Sequence, residues 1–267
     1  MSGSEGRDIR FVSYWETARG LSMPPYIALA LVSIQRALGD KFLLLTPRTA
    51  PDFIDARILG KGWGFEPLAF NLAEGIEAIV AKSDLIRMAF VHQHGGAWVD
   101  ADSIFFRDPT RLLFPTGLSH KLHWYSECIF GSLAGNELLA HALEAGLAGG
   151  VHAWGNPGGI KDIVAQRPSE WVPIAHSLID PGYRPLYNFS SCEVMRRQDV
   201  TAAEFLVTDV AMLKLYNTYF NRTAQRVGTV EDFFAEDSLM AKLFLHIEPD
   251  PGYWLGETSR LIAWCEQ

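Results

Sequence analysis

Apolar residues along this chain fall into short continuous runs and longer stretches with helical spacing, and the two kinds alternate from the N-terminus onward. Ile9–Ser13 is such a run and predicts a first strand, ending in the aromatic pair Tyr14 and Trp15. Pro24 and Pro25 break the chain next, and a proline suits the first turn of a helix, where its missing N–H costs nothing. Tyr26–Leu38 then carries apolar residues at helical spacing and stops at Gly39, so a helix is expected there. Phe42–Leu45 predicts a second buried strand. Strand, helix, strand in this order is what a parallel βαβ unit looks like. The expected fold class is therefore α/β, with a mainly parallel central sheet flanked by helices.

Residues 47–73 are rich in Pro, Gly and aromatics and read as loop with at most one strand. Ile76–Gln93 reads as helix, with a break expected near Ser83, which can cap a new turn. Gly95 and Gly96 stop it. Ala97–Val99 is a short strand that runs into Asp100. Leu122–Phe130 reads as one extended, central strand, Glu137–Leu147 as helix, and Gly155–Gly159 as a turn that opens another short helix. Phe205–Leu215 fits strand and helix alike. Asp237–His246 is an amphipathic helix starting near Asp237 or Ser238. No repeat and no low-complexity linker divides the sequence, so residues 1–267 are expected to form a single domain.

Composition narrows the function. With 48% hydrophobic and 12% aromatic residues the chain lies outside the disordered class. The formal charge of −8 argues against a nucleic-acid binder, which needs a basic field, and it means that an anionic ligand must be met by a local cation. Three widely separated cysteines, Cys128, Cys192 and Cys265, with no CxxC pair, predict neither a disulfide framework nor a zinc knuckle and fit a reducing compartment. Met1–Arg10 is polar with no apolar signal core, and no run approaches the ~18 apolar residues of a spanning helix. A cytoplasmic location is expected, and the sequons at Asn188 and Asn221 then carry no weight.

The candidate chemistry is concentrated at Asp100, Ala101 and Asp102. At the end of an apolar strand, residues two apart point to the same side, so both carboxylates are expected to face one ion. Two aspartates after a strand are more often a solvated turn. Here they stand between apolar segments, in Trp98–Phe106, where their desolvation calls for a cation. Magnesium and manganese are commonly held by one or two carboxylates while substrate phosphates complete the shell. Such an ion would let an acidic protein bind a diphosphate and would stabilise it as a leaving group. Upstream, Asp84 and Arg87 stand three apart on one helix face, which alone makes only a local ion pair.

The stretch Lys82–Pro109, with Ser83-Asp84-Leu85-Ile86-Arg87 and then Gly95-Gly96-Ala97-Trp98-Val99-Asp100-Ala101-Asp102, resembles the sugar-binding Asp-x-Asp region of glycosyltransferase family 32 and the capsular polysaccharide synthesis proteins. It is more remotely similar to the large clostridial glucosylating toxins. Tyr14-Trp15-Glu16 and Met23-Pro24-Pro25-Tyr26-Ile27 resemble the start of the capsular group. The resemblance implies a GT-A fold, Rossmann-like, with a donor-binding half at about 7–110 and an acceptor half at about 111–267. It implies a nucleotide-sugar donor, UDP-linked, manganese or magnesium, and transfer with retention to a glycan, polysaccharide or lipid-linked saccharide, with peripheral contact to a membrane. Carried over by position, Asp100 would contact the ribose or the ion and Asp102 would chelate it. Asp84 and Arg87 would bind hydroxyls or phosphate of the donor, one of Tyr14 and Trp15 would stack on the base, and Gly95 and Gly96 would bring backbone close to the donor.

By the same analogy His246 would be a third metal ligand, with Glu257 or Ser259 as substitutes, although a histidine at a helix end also fits the helix dipole. Glu127 and Asn156 are candidates for contact with the sugar or the acceptor. His92 and His94 lie two apart on a helix and cannot share an ion. Arg196 and Arg197 form a small basic spot that reads as solvated surface. Walker A, GxSxG and GxGxxG patterns are absent. A retaining transfer by same-face attack needs no protein nucleophile. The alternatives are a phosphohydrolase with Asp100 as nucleophile and Asp102 as acid, and a nucleotide-sugar-binding or carbohydrate-binding module without turnover.

Overall fold

The computed structural model describes residues 9–18, 20–54, 76–149, 158–179, 194–206, 210–215 and 228–266, with the backbone alone at 76–78, 81 and 147–149. Asn156, Asn188, Cys192, Asn221 and most of the segment 47–73 lie outside the described residues. The protein is α/β, and its chain divides into two compact units that interleave along the sequence. Met1–Leu21, Lys41–Asp100 and Phe114–Ile174 make up one unit; Ser22–Asp40, Ala101–Leu113 and Ala175–Gln267 make up the other. Residues 22–40 thus group with the C-terminal helices.

In the first unit, β1 (Phe11–Tyr14), β2 (Phe42–Leu45), β3 (Gly96–Val99), β5 (Leu122–Ser126), β6 (Ile129–Ser132) and β7 (Trp171–Pro173) form a sheet of order β2-β1-β3-β6-β5-β7. β1 is parallel to both β2 and β3, and β5 is parallel to β7. β6 is antiparallel to both neighbours, so the sheet is mixed rather than mainly parallel. The difference arises at Leu122–Phe130, which is two strands of a hairpin and not one. Glu127 and Cys128 make the turn, and neither is a residue that announces one.

All four residues of β1 are buried, as expected of a strand covered on both faces. Helices α2 (Ile76–His94), α4 (Glu137–Gly149) and α5 (Ile160–Gln166) belong to the same unit, α4 packing against both of the others. Val12, Phe90, Trp98, Phe130, Leu139 and Ile160 are among the core residues. Helix α2 runs through Ser83 without the expected break. From Asp84 to Val91 every residue of it is buried, so a helix enclosed on all sides carries two charged groups that must find partners inside.

The second unit is built on α1 (Pro25–Leu38), which packs against β4 (Ser103–Phe105) and α9 (Pro251–Cys265). Ser33, buried in an apolar helix, accepts the Phe105 N–H at 2.9 Å and donates to the Ala30 carbonyl. β4 pairs antiparallel with β8 (Met212–Lys214). The short helices α3 (Thr110–Leu113), α6 (Ala202–Phe205) and α7 (Val230–Ala235) precede α8 (Leu239–Ile247). Ser238 caps α8 and Asp250 caps α9. Phe233, Phe244 and Trp254 pack edge to face, at 5.9 and 5.4 Å between centroids. Helix α9 was not expected, because Gly252 and Gly256 weaken the helical pattern even though Asp250 and Pro251 are sound start signals. No helix among the described residues is long and apolar enough to cross a membrane.

Gly95 and Gly96 join α2 to β3 with φ of +70° and +104°. A Cβ on Gly96 would stand 2.6 Å from the Arg10 carbonyl oxygen, which accepts the Ala97 N–H at 2.8 Å just ahead of β1. Gly96→Ala therefore combines a clash with a disfavoured φ and is expected to cost about 2–4 kcal/mol in urea unfolding. Gly117→Ala, with φ of +77° and open space around it, carries the φ penalty alone and should cost about 1–2 kcal/mol. Equal losses would show that close approach is not the constraint.

Candidate functional site

The strand order reverses around β1: the chain crosses to β2 on one side and returns to β3 on the other. Ligands of open α/β sheets bind outside the carboxyl ends of strands at such a reversal. Here those ends carry Tyr14 and Trp15 after β1 and Asp100 after β3. Ser13 ties the two strands together by donating to the Val99 carbonyl at 2.5 Å.

Arg87 on α2 organises what lies beyond. Its guanidinium contacts Asp84 Oδ1 at 2.5 Å and stands 3.5 Å from Asp100 Oδ1. It donates to the Glu127 carbonyl at 2.7 Å and to the Ser83 carbonyl at 3.4 Å, and it lies over the Trp98 ring at 5.4 Å. Asp100 also accepts the Trp98 indole N–H at 2.8 Å, and its own N–H donates to the Cys128 carbonyl. The i, i+3 pair of Asp84 and Arg87 is thus a buried hub that ties a helix to a strand end and to the β5–β6 turn. Arg87 directs these donors to the protein around it, to Asp84, Asp100 and the Ser83 and Glu127 carbonyls.

Glu127 completes the group. Lys161 Nζ lies 2.8 Å from its Oε1, while its Oε2 is buried without a hydrogen-bond partner. Asp84, Asp100 and Glu127 therefore share Arg87 and Lys161, a surplus of carboxylate. Burial raises the Asp84 carboxyl to about 7; Arg87 opposes this, and Asp100 and Glu127 add to it. Burial works against the Arg87 charge, yet the three acids hold its pKa above the ordinary range.

Tyr14 and Trp15 divide in role. Tyr14 is 4% exposed and donates its hydroxyl to Glu16, which also pairs with Lys82 at 2.8 Å. Burial first, and Glu16 second, push its phenol up, so it remains a donor. Trp15 is half-buried, its indole N–H on Thr17 at 3.0 Å, and is the aromatic with accessible surface. Gly95 and Gly96 sit at the opposite end of β3 from Asp100, where their backbone lies against Ser132–Ala134 and Arg10.

The Asp-x-Asp triplet is not one extended strand. β3 ends at Val99 and β4 begins at Ser103, with a bend between them, and the boundary of the two units falls after Asp100. Alternation along a strand therefore does not align the two carboxylates. Asp102 is 6% exposed; its Oδ1 accepts from the buried Lys214 ammonium, and its carbonyl accepts the Leu215 N–H at 2.8 Å. Lys214 escaped the sequence reading, although a lone lysine in the apolar run Val210–Leu215 signals a buried charge in need of an acid.

His246 is exposed at the end of α8, and among the described residues no three His, Cys, Asp or Glu side chains converge as metal ligands. The donor chemistry fits a hard divalent ion at Asp100, a partly exposed carboxylate able to share an ion with substrate phosphates. Asp102 is in contact with Lys214, and His246 lies exposed on α8. Glu257 pairs with Arg260, and Ser259 donates to the Leu255 carbonyl. His92 and His94 contact different carbonyls, those of Asn136 and Phe53, and form no ion site together. Arg197 pairs with Asp199 at the surface.

Arg87→Met leaves buried carboxylates without their cation and is expected to cost about 3–5 kcal/mol in urea unfolding. Arg87→Lys should recover little of it, since an ammonium cannot reach in all these directions. With its pKa raised, Asp84 keeps a proton in the native state that the unfolded chain has released, so stability falls as pH rises from 3.8 towards about 7. Asp84→Asn is expected to remove that slope in unfolding curves taken across this range. No protein-family model matches the chain, and no curated protein matches its sequence.

Proposed function

We propose that the chain is a glycosyltransferase of GT-A type, moving a sugar with retention from a UDP-linked donor to a glycan or lipid-linked saccharide. The observation that carries this reading is the group Asp84–Arg87–Asp100–Glu127 beside the strand ends where the sheet order reverses. Its residues are those that resemble the family 32 sugar-binding region, with Glu127 added.

In this reading Trp15 offers its accessible face to the base. The carboxylates of Asp84 and Glu127 accept hydrogen bonds from sugar hydroxyls, and the unpartnered Oε2 of Glu127 is the acceptor most in need of a donor. Asp100 holds manganese or magnesium together with the donor diphosphate, and the ion, when bound, supplies the positive charge that an acidic protein lacks for its leaving group. Arg87 binds no substrate; it fixes the acids in place, and catalysis consists of positioning and electrostatics.

A thermal-shift screen of nucleotide sugars tests this. A UDP-sugar should raise the Tm with Mn2+ and much less without it. Failure of every nucleotide sugar to shift the Tm would defeat the proposal, and release of inorganic phosphate from phosphate esters would favour the phosphohydrolase instead. Glu127→Gln should lower kcat/KM by about 10- to 100-fold while leaving the fold intact, since its link to Arg87 is through the main chain. Unchanged kcat/KM would remove Glu127 from the site.

A further inference from the structure

Apart from the Arg87 group, the first unit holds a second polar cluster, between the end of β1 and α2. The two oxygens of the Glu16 carboxylate accept from the Lys82 ammonium at 3.1 and 2.8 Å, and one of them also accepts the Tyr14 hydroxyl. The side chains of Lys82 and Glu16 are 14% and 22% exposed and Tyr14 is buried, so the cluster lies largely out of water. One carboxylate thus joins a strand end to a helix 66 positions away in sequence. Removing one partner of such a pair leaves the other charge uncompensated, a larger loss than at an exposed pair.

The stretch that carries these groups also carries Trp15. Its backbone N–H donates to the Leu45 carbonyl at 2.9 Å, which continues the β1–β2 pairing one residue past the strand. Its indole N–H donates to Thr17 Oγ1 at 3.0 Å, while Tyr14 donates to Glu16. Side-chain bonds between residues two apart, at 14 and 16 and again at 15 and 17, are what an extended chain permits. They put Trp15 and Thr17 on one side of the chain and Tyr14 and Glu16 on the other. Lys82 therefore grips this stretch from the side opposite the indole. Without the ammonium the Glu16 carboxylate would turn to water, the Tyr14 hydroxyl would lose its acceptor, and the backbone that aims the Trp15 ring would be released.

We propose that Lys82 and Glu16 are positioning residues for nucleotide recognition: their ion pair holds the Trp15 ring as a preformed platform for the base, and Lys82 itself touches no phosphate. An aromatic face already held in place binds more tightly than one that must be ordered on binding. The inference rests on the glycosyltransferase reading given above, in which Trp15 meets the base of a UDP-linked donor.

The experiment uses the full chain and measures the Kd of UDP in the presence of Mn2+, together with the Tm of each variant. Trp15→Ala should weaken UDP by about tenfold or more, the usual effect of removing an aromatic partner from a base. Lys82→Met should weaken it about three- to tenfold, and Lys82→Arg should restore most of that loss, because a guanidinium also pairs with both oxygens of a carboxylate. Added to Trp15→Ala, Lys82→Met should cause no further loss beyond about twofold, since the pair acts through the ring it holds. Glu16→Gln should weaken UDP about threefold or more, again only where Trp15 is present, and it keeps the test open if Lys82→Met does not fold.

An equal loss from Lys82→Met with and without Trp15 would overturn the proposal, because the ammonium would then act on UDP directly. So would tighter UDP binding by Glu16→Gln, which would mean that a lysine released from its acid meets phosphate. A lower Tm in Lys82→Met with UDP affinity unchanged would also overturn it and leave the pair a structural tie. If wild type binds UDP and Trp15→Ala has no effect, the base sits elsewhere and this inference fails while the glycosyltransferase reading stands. A wild-type chain that does not bind UDP defeats that reading and this inference with it.

Discussion

A guanidinium withdrawn from water must have its donors met by the protein, and at Arg87 that requirement shapes everything around it. One side chain draws together Asp84 from its own helix, Asp100 from the end of β3 and the Glu127 carbonyl from the β5–β6 turn, with the Trp98 ring beneath it. Apart from Asp84 beside Arg87 and Trp98 beside Asp100, these groups are distant from one another in sequence. The arginine converts three separate pieces of chain into one rigid surface, and because acids outnumber cations there, that surface is rich in acceptors.

The backbone around this surface is constrained to match. Gly95 and Gly96 let β3 lie against the segment leading into β1, and Ser13 closes the same two strands at their far ends. The strand reversal then leaves Trp15 and Asp100 side by side in the sheet order, at the place where α/β sheets receive ligands. An acceptor-rich surface next to a half-buried indole suits a polyhydroxylated ligand carrying a base, and it needs a cation before it tolerates a diphosphate.

Much of the first 45 residues was legible because local rules agree there. β1, α1 and β2 follow from apolar runs, a proline start and a glycine stop, and β2 occupies the expected residues. The pairing of Asp84 with Arg87 follows from helix geometry alone. What could not be read depended on contacts distant in sequence. The turn at Glu127 and Cys128 lacks turn residues; it exists because β6 pairs with β3. Lys214 stands 112 positions from Asp102, so the role of Asp102 was assigned without its partner. The alternation rule failed at Asp100–Asp102 for a related reason: the strand ends at Val99, and each acid answers to a different neighbour. Asp100 belongs with Arg87 and Asp102 with Lys214, although one alanine separates them.

The central claim is that the acids assembled by Arg87 at the ends of β1 and β3 receive a diphosphate-bearing ligand with its ion. Crystals of the chain soaked with Mn2+ and UDP, measured for the anomalous signal of manganese, test it most directly. The account predicts one manganese peak within bonding distance of the Asp100 carboxylate, in contact with the diphosphate. Nucleotide and metal bound away from Asp100 would contradict it.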